Sequence, residues 1–79
     1  MISAYVLVKT DPGTDEAVRK KILSFDGVVS AERSYGSFDI ILKAELESGE
    51  ELDDFVFEKL RKTPGVRDTV TVITTKSER

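Results

Sequence analysis

An α+β sandwich, four antiparallel strands backed by two helices on one face, is the fold class this sequence predicts. Three observations carry it. The chain has 79 residues, which is room for one small domain over residues 1–79. Runs rich in β-branched and aromatic residues alternate with helical stretches in the order β-α-β-β-α-β. An internal echo also ends both helical stretches alike, Asp26-Gly27-Val28 and Pro64-Gly65-Val66 each running straight into a strand. Two βαβ halves joined at Gly36 make the split-βαβ, ferredoxin-like arrangement. Right-handed crossovers then place both helices on the same sheet face, with the first and third strands central.

Each element has its own justification. Residues 3–9, Ser3-Ala4-Tyr5-Val6-Leu7-Val8-Lys9, read as a strand that Thr10-Asp11-Pro12-Gly13 punctuates. Thr14 is placed to cap the first helix, with Asp15 and Glu16 in its positive first turn and Arg19, Lys20 and Lys21 further along. Ala17, Val18, Ile22 and Phe25 fall on one helical face, and Gly27 supplies the left-handed conformation that ends the helix. Residues 28–35 and 38–45 form two strands in a hairpin around Gly36-Ser37. Ser48-Gly49-Glu50-Glu51 has the capping-box spacing, Ser followed three residues later by Glu. Behind it Leu52, Phe55, Val56 and Leu60 share an apolar face beside a snorkelling Lys59. Arg61 and Lys62 join Lys59 at the negative end, and Thr63-Pro64-Gly65 breaks the helix. Residues 66–75 make the last strand, and Lys76-Ser77-Glu78-Arg79 is a polar tail expected to fray.

Composition removes whole classes of function. With neither Cys nor His, disulfides, Cys and His zinc sites, His-based triads and Cys nucleophiles are excluded. Twelve Lys and Arg against fifteen Asp and Glu give a net charge of −3. Such a balance is wrong for the clustered cations that grip a phosphate backbone, so no direct nucleic-acid partner is expected. No stretch approaches the roughly 18 apolar residues of a membrane span, and the first residues carry no basic, apolar leader pattern. A cytoplasmic protein with no membrane partner, no metal and no cofactor is the expectation.

Strand parity supplies the first functional reading. Alternation assigns Ala4, Val6 and Val8, then Ile40, Leu42 and Ala44, then Val70 and Val72 to the helix-covered face. The opposite parity holds Tyr5, Leu7, Ile41 and Ile73 alongside Asp39, Thr69 and Thr71. A face that met water would be polar. Isolated surface apolars are ordinary, but four on one uncovered sheet mark a contact surface, so homodimerisation through Tyr5, Leu7, Ile41 and Ile73 is expected. Leu23 and Phe57, off the helical stripes, are candidates for a second contact or for ordinary exposed apolars.

Candidate chemistry is sparse. Seven acids between Glu45 and Glu58 fit a capped helix start and a solvated outer face better than a cation site, because the spaced carboxylates and central Gly of a calcium loop are missing. Asp39 opens a strand, where Asp is disfavoured, and its parity aims it at the uncovered face. A carboxylate there suits a ligand's ammonium group, with Gly36 permitting close backbone approach; an Asx-type hairpin bond is the plainer alternative. Thr69 and Thr71 add two hydroxyls on the same face, in positions Thr also occupies for packing alone. Asp39 starts the third strand and the threonines lie early in the fourth, which places them toward opposite ends of one monomer and ties any shared pocket to assembly. No catalytic set stands out.

Several of these pieces together resemble a known family. They are Ala4-Tyr5-Val6-Leu7-Val8 leading to Pro12-Gly13, Gly27-Val28-Val29, the hairpin Tyr35-Gly36-Ser37-Phe38-Asp39, Pro64-Gly65-Val66, and Thr69-Val70-Thr71. The chain resembles the effector (RAM) domain of the Lrp/AsnC transcription regulators over essentially its whole length. The resemblance implies a βαββαβ domain that dimerises through its sheet, often forms octameric rings, and binds small amino-acid effectors between dimers. It places Gly36, Phe38 and Asp39 of the hairpin and Thr69 and Thr71 of the last strand at that ligand site. Ser37-Phe38 departs from the family's more usual small or acidic residue followed by Tyr, and Tyr5 stands where Phe is common. No helix-turn-helix precedes the first strand, so a stand-alone effector domain is expected. Its output would be indirect, through assembly with full-length Lrp/AsnC regulators. The rivals are a pure oligomerisation module without a metabolite, a small dimeric α+β enzyme, and an ACT-like variant of the sensing domain.

Overall fold

A computed structural model describes residues 1–74, and the element order is the expected one. Strand β1 (Ile2–Thr10) leads to helix α1 (Asp15–Leu23), strands β2 (Val28–Arg33) and β3 (Ile40–Leu46), helix α2 (Gly49–Asp54) with a π-helical continuation (Phe55–Leu60), and strand β4 (Val66–Thr74). Thr75, the expected end of the last strand, and the tail 76–79 lie outside the described residues. The four-stranded sheet has the order β2-β3-β1-β4, so the first and third strands are central, and all the described pairings are antiparallel. The fold is the ferredoxin-like βαββαβ sandwich.

Hydrophobic burial decides which side of the sheet the helices take. Ala4, Val6 and Val8 of β1 and Ile40, Leu42 and Ala44 of β3 are all essentially inaccessible, and they meet Val18 and Ile22 of α1 and Leu52, Phe55, Val56 and Leu60 of the second helix. Phe25 joins them edge-on to Phe55, ring centroids 6.0 Å apart. Ala17, assigned to the same stripe from spacing, is exposed instead; a methyl is too small to reach the sheet once Val18 and Ile22 set the helix roll. The Ser48 cap forms as its spacing implies, with its hydroxyl accepting from the Glu51 amide at 3.2 Å. Thr14 does not cap α1 with its side chain: its hydroxyl donates to the Asp11 carbonyl at 2.8 Å and closes the preceding turn. Helix α1 also stops at Leu23, short of Gly27, whose φ of +91° belongs to the turn into β2.

Three corrections to the strand reading bear on function. In β4 the parity is the reverse of the expectation, because Val70 pairs with Leu7 and Val72 with Tyr5, whereas Thr69, Thr71 and Ile73 pair with the buried Val8, Val6 and Ala4. Paired residues share a face. Val70 and Val72 therefore stand on the open side, while Ile73, Thr69 and Thr71 face the helix side. Second, β3 and β4 both run antiparallel to β1 and so parallel to each other. Val8 pairs with Ile40 on one side and Thr69 on the other, which places Asp39 and Thr69 at the same end of the sheet. Third, Asp39 sits just outside β3, so strand parity does not govern its side chain.

Gly65 fixes how β4 starts. Its φ is +96°, and a Cβ there would lie 2.8 Å from Val18 Cγ2 and 2.9 Å from Thr14 Oγ1. Gly36 has a φ of +104° but open space around it. Gly65→Ala is expected to cost about 2–4 kcal/mol, combining left-handed backbone strain with overpacking. Gly36→Ala is expected to cost only the backbone share, about 1–2 kcal/mol. Urea midpoints of the two variants check the difference, and equal losses would remove the packing argument.

Candidate functional site

The end of the sheet where Val8, Asp39 and Thr69 meet is built by the β2–β3 connection folding onto the end of β1. The Ser34 amide donates to the Asp39 carbonyl at 2.8 Å, and the Asp39 amide donates to the Val8 carbonyl at 2.9 Å. Lys9 Nζ donates to the Ser37 carbonyl at 2.8 Å. Asp39 Oδ2 accepts from the Thr10 amide at 2.8 Å and from the Thr10 hydroxyl at 3.1 Å. Thr10 is only 7% exposed, so a carboxylate is the means by which its amide and hydroxyl are satisfied at the strand terminus. The bond is not the Asx turn that sequence offered, and it occupies only one of the two carboxylate oxygens. It is a long-range tie from the hairpin to β1.

That tie sits beside a surface cleft of about 330 Å³ lined by Lys9, Thr10, Asp11, Pro12, Gly13, Asp15, Asp39 and Arg67. Arg67 Nε lies 3.4 Å from Asp11 Oδ1 across it. The cleft therefore holds carboxylates and cations side by side, and none of the described hydrogen bonds uses Asp39 Oδ1. Gly36 is exposed on the same hairpin and Phe38 is half-buried. Thr69 is half-buried and Thr71 exposed. Thr69 stands two strand spacings from Asp39, roughly 10 Å across β1, with its side chain on the helix side. Of the three hairpin residues only Asp39 lines the cleft, and Thr69 and Thr71 do not join it within one chain. Lys9, Thr10 and Arg67 were missed from sequence. Only Thr10 carried a signal, since it shares the inward parity of Val6 and Val8.

The other candidate surface is the open sheet face. Tyr5, Leu7, Ile41, Val70 and Val72 form one apolar block on it, with Val70 42% and Val72 47% exposed. Leu23 and Phe57 are exposed elsewhere, Phe57 beneath the Arg61 guanidinium at 5.6 Å. No helix of the described residues is long and apolar enough to cross a membrane.

The Thr10 amide holds the Asp39 carboxyl below the usual carboxylate range, with help from the Thr10 hydroxyl and the Lys9 charge and against a smaller push from partial burial. A folded-state pKa below the unfolded one means that the tie stabilises fully above about pH 4 and is lost as pH falls through the folded value. Asp39→Asn is expected to lower the urea midpoint at about pH 6, and its gap to the parent chain should narrow on acidification from about pH 5 to about pH 2. A gap that stays constant with pH would show that the ionised carboxylate is not what stabilises this end.

Comparison with known proteins agrees with this architecture. The Lrp/AsnC ligand-binding-domain model matches residues 3–78. An uncharacterised HTH-type transcriptional regulator of Pyrococcus furiosus is 36% identical over 74 residues, covering 90% of this chain and 49% of that protein. The chain spans about half the length of the curated relatives it matches. The crystal structure of FFRP-DM1 superposes with a TM-score of 0.92 at 36% identity, covering 95% of this chain and 100% of that one. A Neisseria meningitidis transcriptional regulator in complex with L-Met shares the fold, with a TM-score of 0.83 at 21% identity over 99% of this chain and 52% of its own. This chain belongs to the Lrp/AsnC ligand-binding domain family, whose role is regulatory and not catalytic.

Proposed function

We propose that the chain is an amino-acid-sensing regulatory module that works as an oligomer. The observation that carries the reading is the mixed-charge cleft beside Asp39. A free amino acid is a zwitterion, and the cleft offers both halves of its complement: Asp39 Oδ1 for the ammonium group, Arg67 and Lys9 for the carboxylate. The L-Met bound to the Neisseria regulator supports the same ligand class. Gly36 leaves room for the ligand at the hairpin, and Phe38 supplies an apolar surface for its side chain. Thr69 and Thr71, on the helix side of an edge strand, reach such a ligand only from a neighbouring subunit. Sensing is thereby coupled to assembly.

Dimerisation through Tyr5, Leu7, Ile41, Val70 and Val72 is the assembly the exposed block supports, with Ile73 displaced from that face by the register. Rings of dimers, octamers among them, are the next level. An effector that binds one assembly state better shifts the population toward it. Output reaches DNA indirectly, when the module co-assembles with full-length regulators of the family.

Calorimetric titration with the twenty common amino acids is expected to give binding by at least one of them. Arg67→Ala, at an exposed rim position, should weaken that binding about tenfold or more without changing thermal stability. Silence toward every amino acid, together with a particle mass indifferent to them, would leave a pure oligomerisation module. Independently, Val70→Asp is expected to convert the particle to single chains in light scattering while the circular dichroism spectrum stays that of the parent; an unchanged mass would move the interface off this face.

A further inference from the structure

The open face is not uniformly apolar, and the placement of its charges has a consequence for how a second copy docks. The register arranges the face into two rows across the sheet. One row reads Ser30, Lys43, Tyr5, Val72 and the next reads Glu32, Ile41, Leu7, Val70, each running from the β2 edge to the β4 edge. Beyond the first row lie Glu45, Ser3 and Thr74; beyond the second, Lys9 and Asp68. Lys43 stands inside the block. Its ammonium group is 5.9 Å from the Tyr5 ring centroid and 3.9 Å from Glu45 Oε2, with the side chain 35% exposed. The Glu32 side chain makes no hydrogen bond or ion pair with any of the described residues, yet it borders Ile41 on the same face.

A sister chain covering the block takes Lys43 out of water, and a half-paired ammonium under an apolar lid is costly unless a carboxylate completes it. We propose that two copies dock sheet to sheet in a single register, in which Lys43 of each copy pairs with Glu32 of the other. This rests on the sheet-face dimer described above and adds its symmetry. A twofold axis lying between the two rows and parallel to them turns one copy face down and lays the first row of one on the second row of the other. Tyr5 then covers Leu7, Val72 covers Val70, and Lys43 comes to rest over Ile41, one strand spacing of about 4.8 Å from Glu32. The same operation sets Lys9 over Ser3 with Glu45 beside it. A twofold along the strands instead lays Glu32 on Val70 and Ser30 on Val72, which strands a carboxylate on an apolar surface. An isologous interface must be its own complement, and of these two arrangements only the first is.

The test is charge reversal followed by exchange, read by sedimentation equilibrium on the full chain. The parent is expected to have a mass of two chains or a multiple of two. Lys43→Glu and Glu32→Lys alone should each raise the dimer dissociation constant about tenfold or more, and the two together should return it to within about threefold of the parent. Both positions lie outside the core, and thermal melting followed by circular dichroism confirms that each single variant is folded. A parent of single-chain mass overturns the dimer itself. A dimeric parent whose single reversals stay dimeric overturns only the register, as does a double reversal that fails to recover. Recovery by exchange is the result a nonspecific loss of face complementarity does not produce.

Discussion

Two helices cover one face of a four-stranded sheet, and none of the described residues covers the other. The assembly proposed for this chain follows from that shortage. The covered face is filled to completion by Ala4, Val6, Val8, Ile40, Leu42 and Ala44 against the two helices, so the domain has a real core despite its size. The uncovered face is nevertheless apolar through Tyr5, Leu7, Ile41, Val70 and Val72. A small domain that buries only about 60% of its unfolded surface alone gains most where it has most left to bury. Assembly is the direct way to complete it.

The element order, the strand order and the helix-covered residues of β1 and β3 were legible because periodicity and punctuation agreed at every step. The inward stripe 4, 6, 8 contrasts with flanking Ser3 and Lys9, and Gly65 has a packing reason to interrupt the chain where it does. In β4 the signal fails for a physical reason. Both parities of Val70-Thr71-Val72-Ile73 carry β-branched residues, so alternation cannot say which set is inward, and choosing the valines because they are apolar assumes that the open face is polar. The pairing with β1 decides the matter, and that information is nonlocal. Asp39 and Thr69 lie at one end because two strands antiparallel to a shared neighbour are parallel to each other, which the expected strand order already implied.

Asp39 shows the limit in another way. Its residue type at the start of a strand correctly singled it out, but the partner that explains it is Thr10, 29 residues earlier. The local alternative was an Asx turn; the fold instead uses one carboxylate oxygen to finish the backbone of the central strand and leaves the other outside the described hydrogen bonds. Lys9 and Arg67 became visible only once the ends of β1 and β4 were side by side.

The candidate effector end and the candidate interface meet on one element. β1 contributes Val8, Lys9 and Thr10 to the first, through the Asp39 and Ser37 ties, and Tyr5 and Leu7 to the second, with only two residue steps between Leu7 and Lys9. The pairing of β1 with β3 ends at Val8, and its pairing with β4 is irregular between Lys9 and Thr10. The ties to Ser37 and Asp39 therefore extend the hold of β3's end of the sheet past the regular ladder. The two neighbours of β1 carry the rest of the apolar block, Ile41 on β3 and Val70 and Val72 on β4. In the module as proposed, coupling between ligand and assembly runs through this one shared strand. It requires only that the ligand bind one docked arrangement better than the alternatives, since a ligand indifferent to the arrangement shifts nothing however tightly it is held.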